Sequence, residues 1–223
     1  MKIKAAGLAL LLLVANMMTA EAAVTYSSTA PTVGTQIDLG TAAIPAYLSN
    51  QVFGIATFNG GAIGLAAGSD YSGTAAAPAG TTGAFWTIGT SGYNTGTSGS
   101  SVPGTGSISF SQALTSLSFQ WGSPDSYNTA YFFSNGSLLG SISGSSVPTG
   151  YGNGDRSISA FVTFSAAASN PITNVVFTSS SNAFETANFS YVAAVPEPET
   201  YLLMLMGIGL IGFMAKRRNK TLA

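Results

Sequence analysis

The residues best suited to contact a ligand lie in one polar stretch near the middle of the chain. They are Trp121, Asp125, Tyr127 and Asn128. An aromatic ring beside carboxylate and amide oxygens supplies what the C–H faces and hydroxyl groups of sugars need. The same residue types also occur where a strand ends, with Asp125 closing a turn after Pro124 and Trp121 filling the core. The stretch therefore supports two interpretations, a sugar-binding surface and, more simply, a structural strand end.

A second candidate chemistry needs two carboxylic acids. Glu185 with Asp125 or Asp155 could act as the acid and base of glycoside hydrolysis, which requires two carboxyl groups about 5 to 10 Å apart. The spacing in sequence does not show that any such pair meets, and Asp155 lies in a glycine-rich stretch typical of a turn. We therefore predict no catalytic residue, and a weak glycosidase stays an alternative.

Residue types that the chain lacks exclude further chemistry. There is no histidine and no cysteine, so the commonest general base, the commonest transition-metal ligand and any disulfide are missing. The abundant serines have no histidine to activate them. No loop of the calcium-binding D-x-[DN]-x-[DN]-G type occurs. We predict neither a metal site nor a cofactor.

The charge of the middle of the chain argues against nucleic acid as a partner. Between Ala23 and Val195 there are five acidic residues and one basic residue, Arg156. Binding to a phosphate backbone needs clustered lysine and arginine side chains. We therefore predict no nucleic-acid partner.

Apolar and polar residues alternate through most of this middle part, and a period of two is typical of half-buried strands. Asn135-Gly136 separates two such runs and predicts a β-hairpin with a type I′ turn. Residues 89–107 are low in complexity and predict a surface loop. Further strands are predicted over 52–58, 84–88, 108–110, 117–121, 158–164, 172–178 and 184–192. Many short strands without helical periodicity predict an all-β fold, an antiparallel β-sandwich or jelly-roll-like single domain over 23–194.

The beginning of the chain has the organisation of a secretory signal peptide. Two lysines precede an apolar run, and Ala20-Glu21-Ala22 has the small-x-small pattern of a cleavage site. We predict a signal peptide over 1–22 and a mature chain that begins at Ala23.

The end of the chain, residues 195–220, combines three features. Pro196-Glu197-Pro198 stiffens the chain into an extended form. Residues 201–215 carry no charge and as a helix would span about 22 Å, so we predict one short transmembrane helix that is marginal as a permanent anchor. A basic cluster follows, which the positive-inside rule keeps in the cytoplasm. Its residues include Lys216, Arg217 and Arg218.

This order of a proline-flanked glutamate, an apolar segment and a basic cluster resembles the PEP-CTERM sorting signal of Gram-negative bacteria. The resemblance implies export, recognition by an integral-membrane exosortase, transient anchoring in the inner membrane, and delivery to the cell surface or extracellular matrix. It also implies that Pro196, Glu197 and Pro198, together with the basic cluster, are the sorting and processing residues.

The middle of the chain resembles a group of exosortase-dependent surface proteins with a WGSxDSYNT core. WGSPDSYNT at 121–129 carries the resemblance, and FETANFSY at 184–191 corresponds to an FEFDNFSY-like strand of that group. Ala187 stands where the group usually has an acid, which argues against calcium at that strand. The resemblance implies no biochemical activity.

Together these features predict an exported, exosortase-processed protein of the surface or extracellular matrix, associated with exopolysaccharide in a biofilm and without enzymatic activity. A carbohydrate-binding module is the first alternative, because of the aromatic and polar stretch at 121–128. The weak glycosidase is the second.

Overall fold

The computed structural model describes residues 22–40, 48–65, 70–71, 75–89, 104–148, 150, 155–195 and 198–220. Most of the predicted signal peptide, including Ala20, lies outside these ranges, and so do Pro196 and Glu197. Ala22 is described and is exposed, directly before the first strand.

The described chain consists of antiparallel strands followed by one helix. The strands are β1 (Ala23–Ser27), β2 (Thr35–Gln36), β3 (Gln51–Phe53), β4 (Ala56–Asn59), β5 (Ala62–Leu65), β6 (Asp70–Tyr71), β7 (Ala75–Ala76), β8 (Ala84–Ile88), β9 (Gly104–Gly122), β10 (Asn128–Ser134), β11 (Ser137–Ser143), β12 (Ser159–Ser165), β13 (Ile172–Ser179) and β14 (Phe184–Ala193). A 3₁₀ turn, Gly144–Ser146, follows β11, and the helix is α1 (Pro198–Lys220).

Strand β9 belongs to two layers. Its first half pairs with β13 and β4, and this layer runs β11-β10-β13-β9-β4-β3. Its second half pairs with β12 and β14, and that layer runs β1-β12-β9-β14-β8-β5, with β2 also paired to β14. The register of β9 against β13 shifts between Ile172 and Asn174, where β9 turns from one layer into the other. We call this turn, residues 110–114, the corner of β9.

Aromatic side chains fill the space between the layers. Phe132 of the first layer stacks on Phe164 of the second with ring centroids 3.9 Å apart. Trp86 of the second layer meets Phe58 edge to face at 5.0 Å and Phe177 at 5.3 Å. All five rings are buried. Because the chain contains no cysteine, this packing and the strand hydrogen bonds hold the layers together.

The outward side of the second layer is covered by residues 75–83. The Gln120 side-chain amide donates to the Ala79 carbonyl at 2.6 Å, and the Thr81 hydroxyl donates to Gln120 Oε1 at 2.9 Å. Phe85 is fully buried on this side, in a small cluster with alanines. Side chains of the second layer that point away from the main core are therefore also shielded from water.

The predicted all-β, antiparallel class is confirmed. The predicted hairpin is also confirmed, because Asn135 and Gly136 link β10 to β11 with φ angles of 47° and 84°, the positive values of a type I′ turn. Two boundaries were wrong. The predicted strand 52–58 is a hairpin of β3 and β4 that turns at Gly54. The runs 108–110 and 117–121 are parts of one strand, β9, which begins inside the predicted loop 89–107.

Helix α1 contains the apolar run 201–215, which the sequence analysis assigned to a transmembrane helix. Its side chains from Tyr201 to Phe213 are exposed. Within the described part of the chain, no helix is both long and apolar enough to cross a membrane. The helix is thus confirmed and its predicted transmembrane span is not, since about 20 apolar residues are needed for the hydrocarbon core.

Gly106 of β9 offers a direct test of the packing between the layers. A Cβ there would lie 2.5 Å from Cζ2 and 2.9 Å from Cη2 of the buried Trp86 ring. We expect Gly106→Ala to lower the free energy of unfolding by about 1 to 3 kcal/mol, because a rigid buried ring cannot move aside without cost. The midpoint of urea unfolding, followed by tryptophan fluorescence, measures this change.

The matched control is Gly83→Ala, where an added Cβ meets no atom within 4 Å. This variant should remain within about 0.5 kcal/mol of the parent protein. Equal stability of the two variants would contradict the close contact of Gly106 with Trp86.

Candidate functional site

A cavity of about 120 Å³ opens at the end of the sandwich where β9 leaves the second layer. Its lining includes four ionisable side chains, Asp125, Tyr127, Arg156 and Glu185, and two uncharged polar residues, Ser123 and Asn182. Alanines of the covering segment form another part of its wall. The cavity is smaller than the 300–1,000 Å³ that is usual for ligand pockets, so it has room for one small polar group rather than a whole saccharide.

Asp125 and Tyr127 lie in the connection between β9 and β10. The amide of Asn128 donates to the Asp125 carbonyl at 3.0 Å and so closes the turn. The Tyr127 hydroxyl lies 2.9 Å from Asp125 Oδ2 and 2.9 Å from the carbonyl oxygen of Asn182, and it can donate to either. The turn thereby holds the carboxylate of Asp125 at the cavity.

Glu185 reaches the cavity from β14, where its backbone pairs with Gly122 and Thr87. Only 6% of the residue is exposed, and the amide of Ala76 donates to its Oε1 at 3.1 Å. Burial, together with the nearby charge of Asp125, raises the pKa of the Glu185 carboxyl to about 8, against the opposing effect of the Ala76 amide. Glu185 is therefore mainly protonated at neutral pH and can donate a hydrogen bond.

The neighbouring groups differ from Glu185 in their exposure. Half-burial raises the pKa of Asp125, while the hydrogen bond from Tyr127 and the charge of Arg156 act in the opposite direction. The pKa of Tyr127 is raised by burial and by its hydrogen bond to Asp125. One buried acid, Glu185, and one half-buried acid, Asp125, thus share the cavity with Arg156. Their different degrees of burial separate the pKa values of the two acids.

The four residues of the predicted sugar-binding cluster do not all lie at the cavity. Asp125 and Tyr127 lie at the cavity, whereas Trp121 is fully buried and stacks on Phe184 at 4.4 Å. A ring without exposed surface cannot receive a sugar, so the ligand role considered for Trp121 is replaced by its role in the core. Asn128 is buried as well.

Both ends of the Asn128 side chain have partners within the protein. Its Nδ2 donates to the Ala183 carbonyl at 3.0 Å, and its Oδ1 accepts from the Ser179 hydroxyl at 2.6 Å. Asn128 therefore joins β10 to β13 and to the segment before β14, and these bonds explain its burial without a ligand.

Of the predicted carboxylate pairs, Asp125 and Glu185 meet at one cavity and Asp155 does not line it. Asp155 is exposed, and its Oδ1 accepts from the amide of Ser157 at 2.9 Å and from its hydroxyl at 2.6 Å. These hydrogen bonds lower the pKa of Asp155. Its surroundings are those of a turn, as expected from its glycine-rich neighbourhood.

Arg156 was not among the predicted site residues. The signal that could have found it is that Arg156 is the one basic residue between Ala23 and Val195. Among the described residues, no group of three or more acidic side chains could hold a metal ion. What the cavity offers is hydrogen bonding, with a protonated carboxyl, a carboxylate, a phenol and a guanidinium around one small space.

We call the β-sandwich, from β1 to β14, the body. A short segment after β14 joins the body to the helix. The amide of Ala194 donates to the Ala113 carbonyl at 2.8 Å, which among the described residues is the last hydrogen bond before α1, and α1 begins at Pro198. The predicted processing residues Pro196 and Glu197 lie between these two points, outside the described residues. Lys216, Arg217 and Arg218 lie in the last part of α1.

Comparison with protein families finds the PEP-CTERM protein-sorting motif at residues 194–218. The motif supports an exosortase-targeted surface protein and implies export, exosortase processing and transient membrane anchoring. No curated protein and no solved structure matches the chain. The similarity of the body to the WGSxDSYNT group stays a prediction.

The buried acid predicts a pH dependence of stability. Unfolding returns the Glu185 carboxyl from a pKa of about 8 to an ordinary value of 4.5. The folded state therefore holds more protons between these pH values, and its stability falls as pH rises through that range, by up to about 1.4 kcal/mol per pH unit. Below pH 4.5 both states are protonated, and this contribution is constant.

Urea unfolding at a series of pH values tests this expectation. Glu185→Gln should flatten the fall between pH 5 and 8 and be the more stable protein at pH 8, because the amide can still accept from Ala76. Asp155→Asn is the control and should retain the slope of the parent protein. A Glu185→Gln variant with that same slope would show that Glu185 is not protonated in the folded state.

Proposed function

We propose that this protein is exported, cut by exosortase next to Glu197, and retained at the cell surface or in the extracellular matrix. There the β-sandwich associates with exopolysaccharide without catalysing a reaction. The observation that supports this proposal best is the sorting motif at 194–218, which follows directly on the last strand of the body.

The chemistry of the body favours a passive role. The chain contains no histidine or cysteine, and its side chains include many serines, threonines and asparagines between small apolar residues. Such uncharged donors and acceptors suit the hydroxyl groups of a hydrated polysaccharide. The low charge also avoids strong binding to either acidic or basic polymers.

The sorting step can be tested with two neighbouring glutamates. Glu197→Ala should slow removal of the tail by about tenfold or more, because one charge-assisted hydrogen bond is worth about 1.5 to 3 kcal/mol. Glu199→Ala, which removes the next acid along the chain, should be processed at the parental rate. Immunoblots of the precursor and product in an exosortase-competent host measure both rates. If both variants are processed at the parental rate, recognition of Glu197 is excluded.

Sugar binding at the cavity is the second candidate function. The observation that favours it is the convergence of Asp125, Tyr127, Glu185 and Arg156 around a space that fits one polar group. A hydroxyl or carboxylate projecting from a polysaccharide chain has the required size and hydrogen-bonding capacity. Hydrolysis is less well supported, because a glycosidase needs a cleft that accepts the sugar ring between its two acids.

A pull-down on the polysaccharide of the host tests this candidate. Asp125→Asn combined with Glu185→Gln should reduce the retained protein by about tenfold if the cavity binds the polymer, the loss equivalent to about 1.4 kcal/mol. Asp155→Asn, which changes an exposed acid outside the cavity, is the control. Equal retention of all three proteins would locate binding elsewhere, and release of reducing sugar that stops only in the double variant would instead support hydrolysis.

A further inference from the structure

The first and last strands of the body leave the sandwich at the same end. Across the second layer, Ala23 pairs with Ser165, Ser165 with Ser116, and Ser116 with Val192. These residues form one row over adjacent strands, so Ala23 and Val192 are about 14 Å apart at the usual strand spacing. The chain therefore enters the body and leaves it toward α1 on one side of the molecule.

We call this side the exit end. It consists of the corner of β9, the β3–β4 turn, the β12–β13 turn and the residues after β14, which touch one another through backbone hydrogen bonds. These bonds join Ser111 to Ile55, Ala166 to Thr115 and Ala194 to Ala113. The exit end carries no acidic or basic side chain in its segments 54–55, 111–115, 166–171 and 192–195.

Three charged residues, Asp125, Arg156 and Glu185, lie at the opposite end, and Asp38 lies between the two ends, beside Asn188. Glu185 and the start of β12 at Ser159 both pair with Gly122, in a row near the cavity. Six residue steps along β12 separate this row from Ser165, a distance of about 20 Å along the strand. Asp125 and Arg156 line the same cavity. The body is therefore polarised, with an uncharged exit end and a charged cavity end.

The connection to the helix is too short to let the body move away from it. Ala194 is held by its bond to Ala113, and α1 begins at Pro198. Four residue steps span at most about 14 Å when fully extended. The headgroup region on each side of a bilayer is about 5 to 8 Å thick. A body tied to a membrane-held helix in this way must stay near the lipid headgroups.

We propose that the exit end rests on the lipid surface of the inner membrane while the precursor is held there, and that the cavity faces away from the membrane. An uncharged surface approaches lipid without the desolvation cost that acids and arginine would incur. The inference rests on the proposed sorting function, whose motif implies transient membrane anchoring before the cut. It adds to the proposed function the orientation of the body on the membrane and the surface of the body that faces the lipid.

The absence of native cysteine allows a test with single labelled positions. The full chain is reconstituted into vesicles of phosphatidylethanolamine and phosphatidylglycerol that contain spin-labelled headgroups, with a bimane fluorophore on one introduced cysteine. Ser169 and Gln112 report on the exit end, Ser126 and Ser180 on the cavity end, and all four are exposed. Thr200 in α1 is the reference for the anchored helix.

Quenching at Ser169→Cys and Gln112→Cys should exceed that at Ser126→Cys and Ser180→Cys by about threefold or more, given the 20 Å between the ends and the thin headgroup layer. Equal quenching at the two ends, or stronger quenching at the cavity end, would overturn the orientation while leaving the sorting function intact. If Thr200→Cys is not quenched, the tail does not enter the membrane, and the anchoring step of the proposed function fails together with the orientation.

Discussion

The continuous hydrogen bonding of strand β9 is the constraint on which both layers depend. Gly104–Gly122 pairs with β13 and β4 before its corner and with β12 and β14 after it. The chain has no cysteine, so a covalent link cannot replace these ladders. Turning at the corner brings the two halves of β9 into facing layers, and the aromatic core forms between them. Without β9, each layer would divide and expose unpaired strand edges.

Local features of the fold could be predicted from sequence because neighbouring residues determine them. The Asn135-Gly136 turn needs two positive φ angles, which these residue types adopt easily, and the alternation in β12 and β13 reflects one buried face for each strand. The corner of β9 was not predicted, because polar and apolar residues alternate on both sides of it and nothing in the local pattern marks a change of layer.

The candidate site could be predicted only in part, because tertiary structure decides which of its residues meet. Trp121 and Asp125 are close in sequence, but one lies on the inner face of a strand and the other in the turn that follows. Residue type alone does not distinguish these positions. Alternation sets Glu185 opposite to Phe184 and away from the main core, and its burial then depends on residues 75–83, whose sequence has no strand period. The meeting of Asp125 with Glu185 therefore follows from tertiary structure.

The sorting motif lies after the last strand, so the residues that stabilise the fold are different from the residues that direct export. Among the described residues, Ala194 makes the last backbone hydrogen bond before α1, at the corner of β9. The apolar side chains of α1 from Tyr201 to Phe213 are exposed instead of entering the core. A cut next to Glu197 therefore removes neither a strand residue nor a core side chain. Because the free energy of the sandwich comes from its own ladders and aromatic packing, the body can keep its fold after the tail is lost.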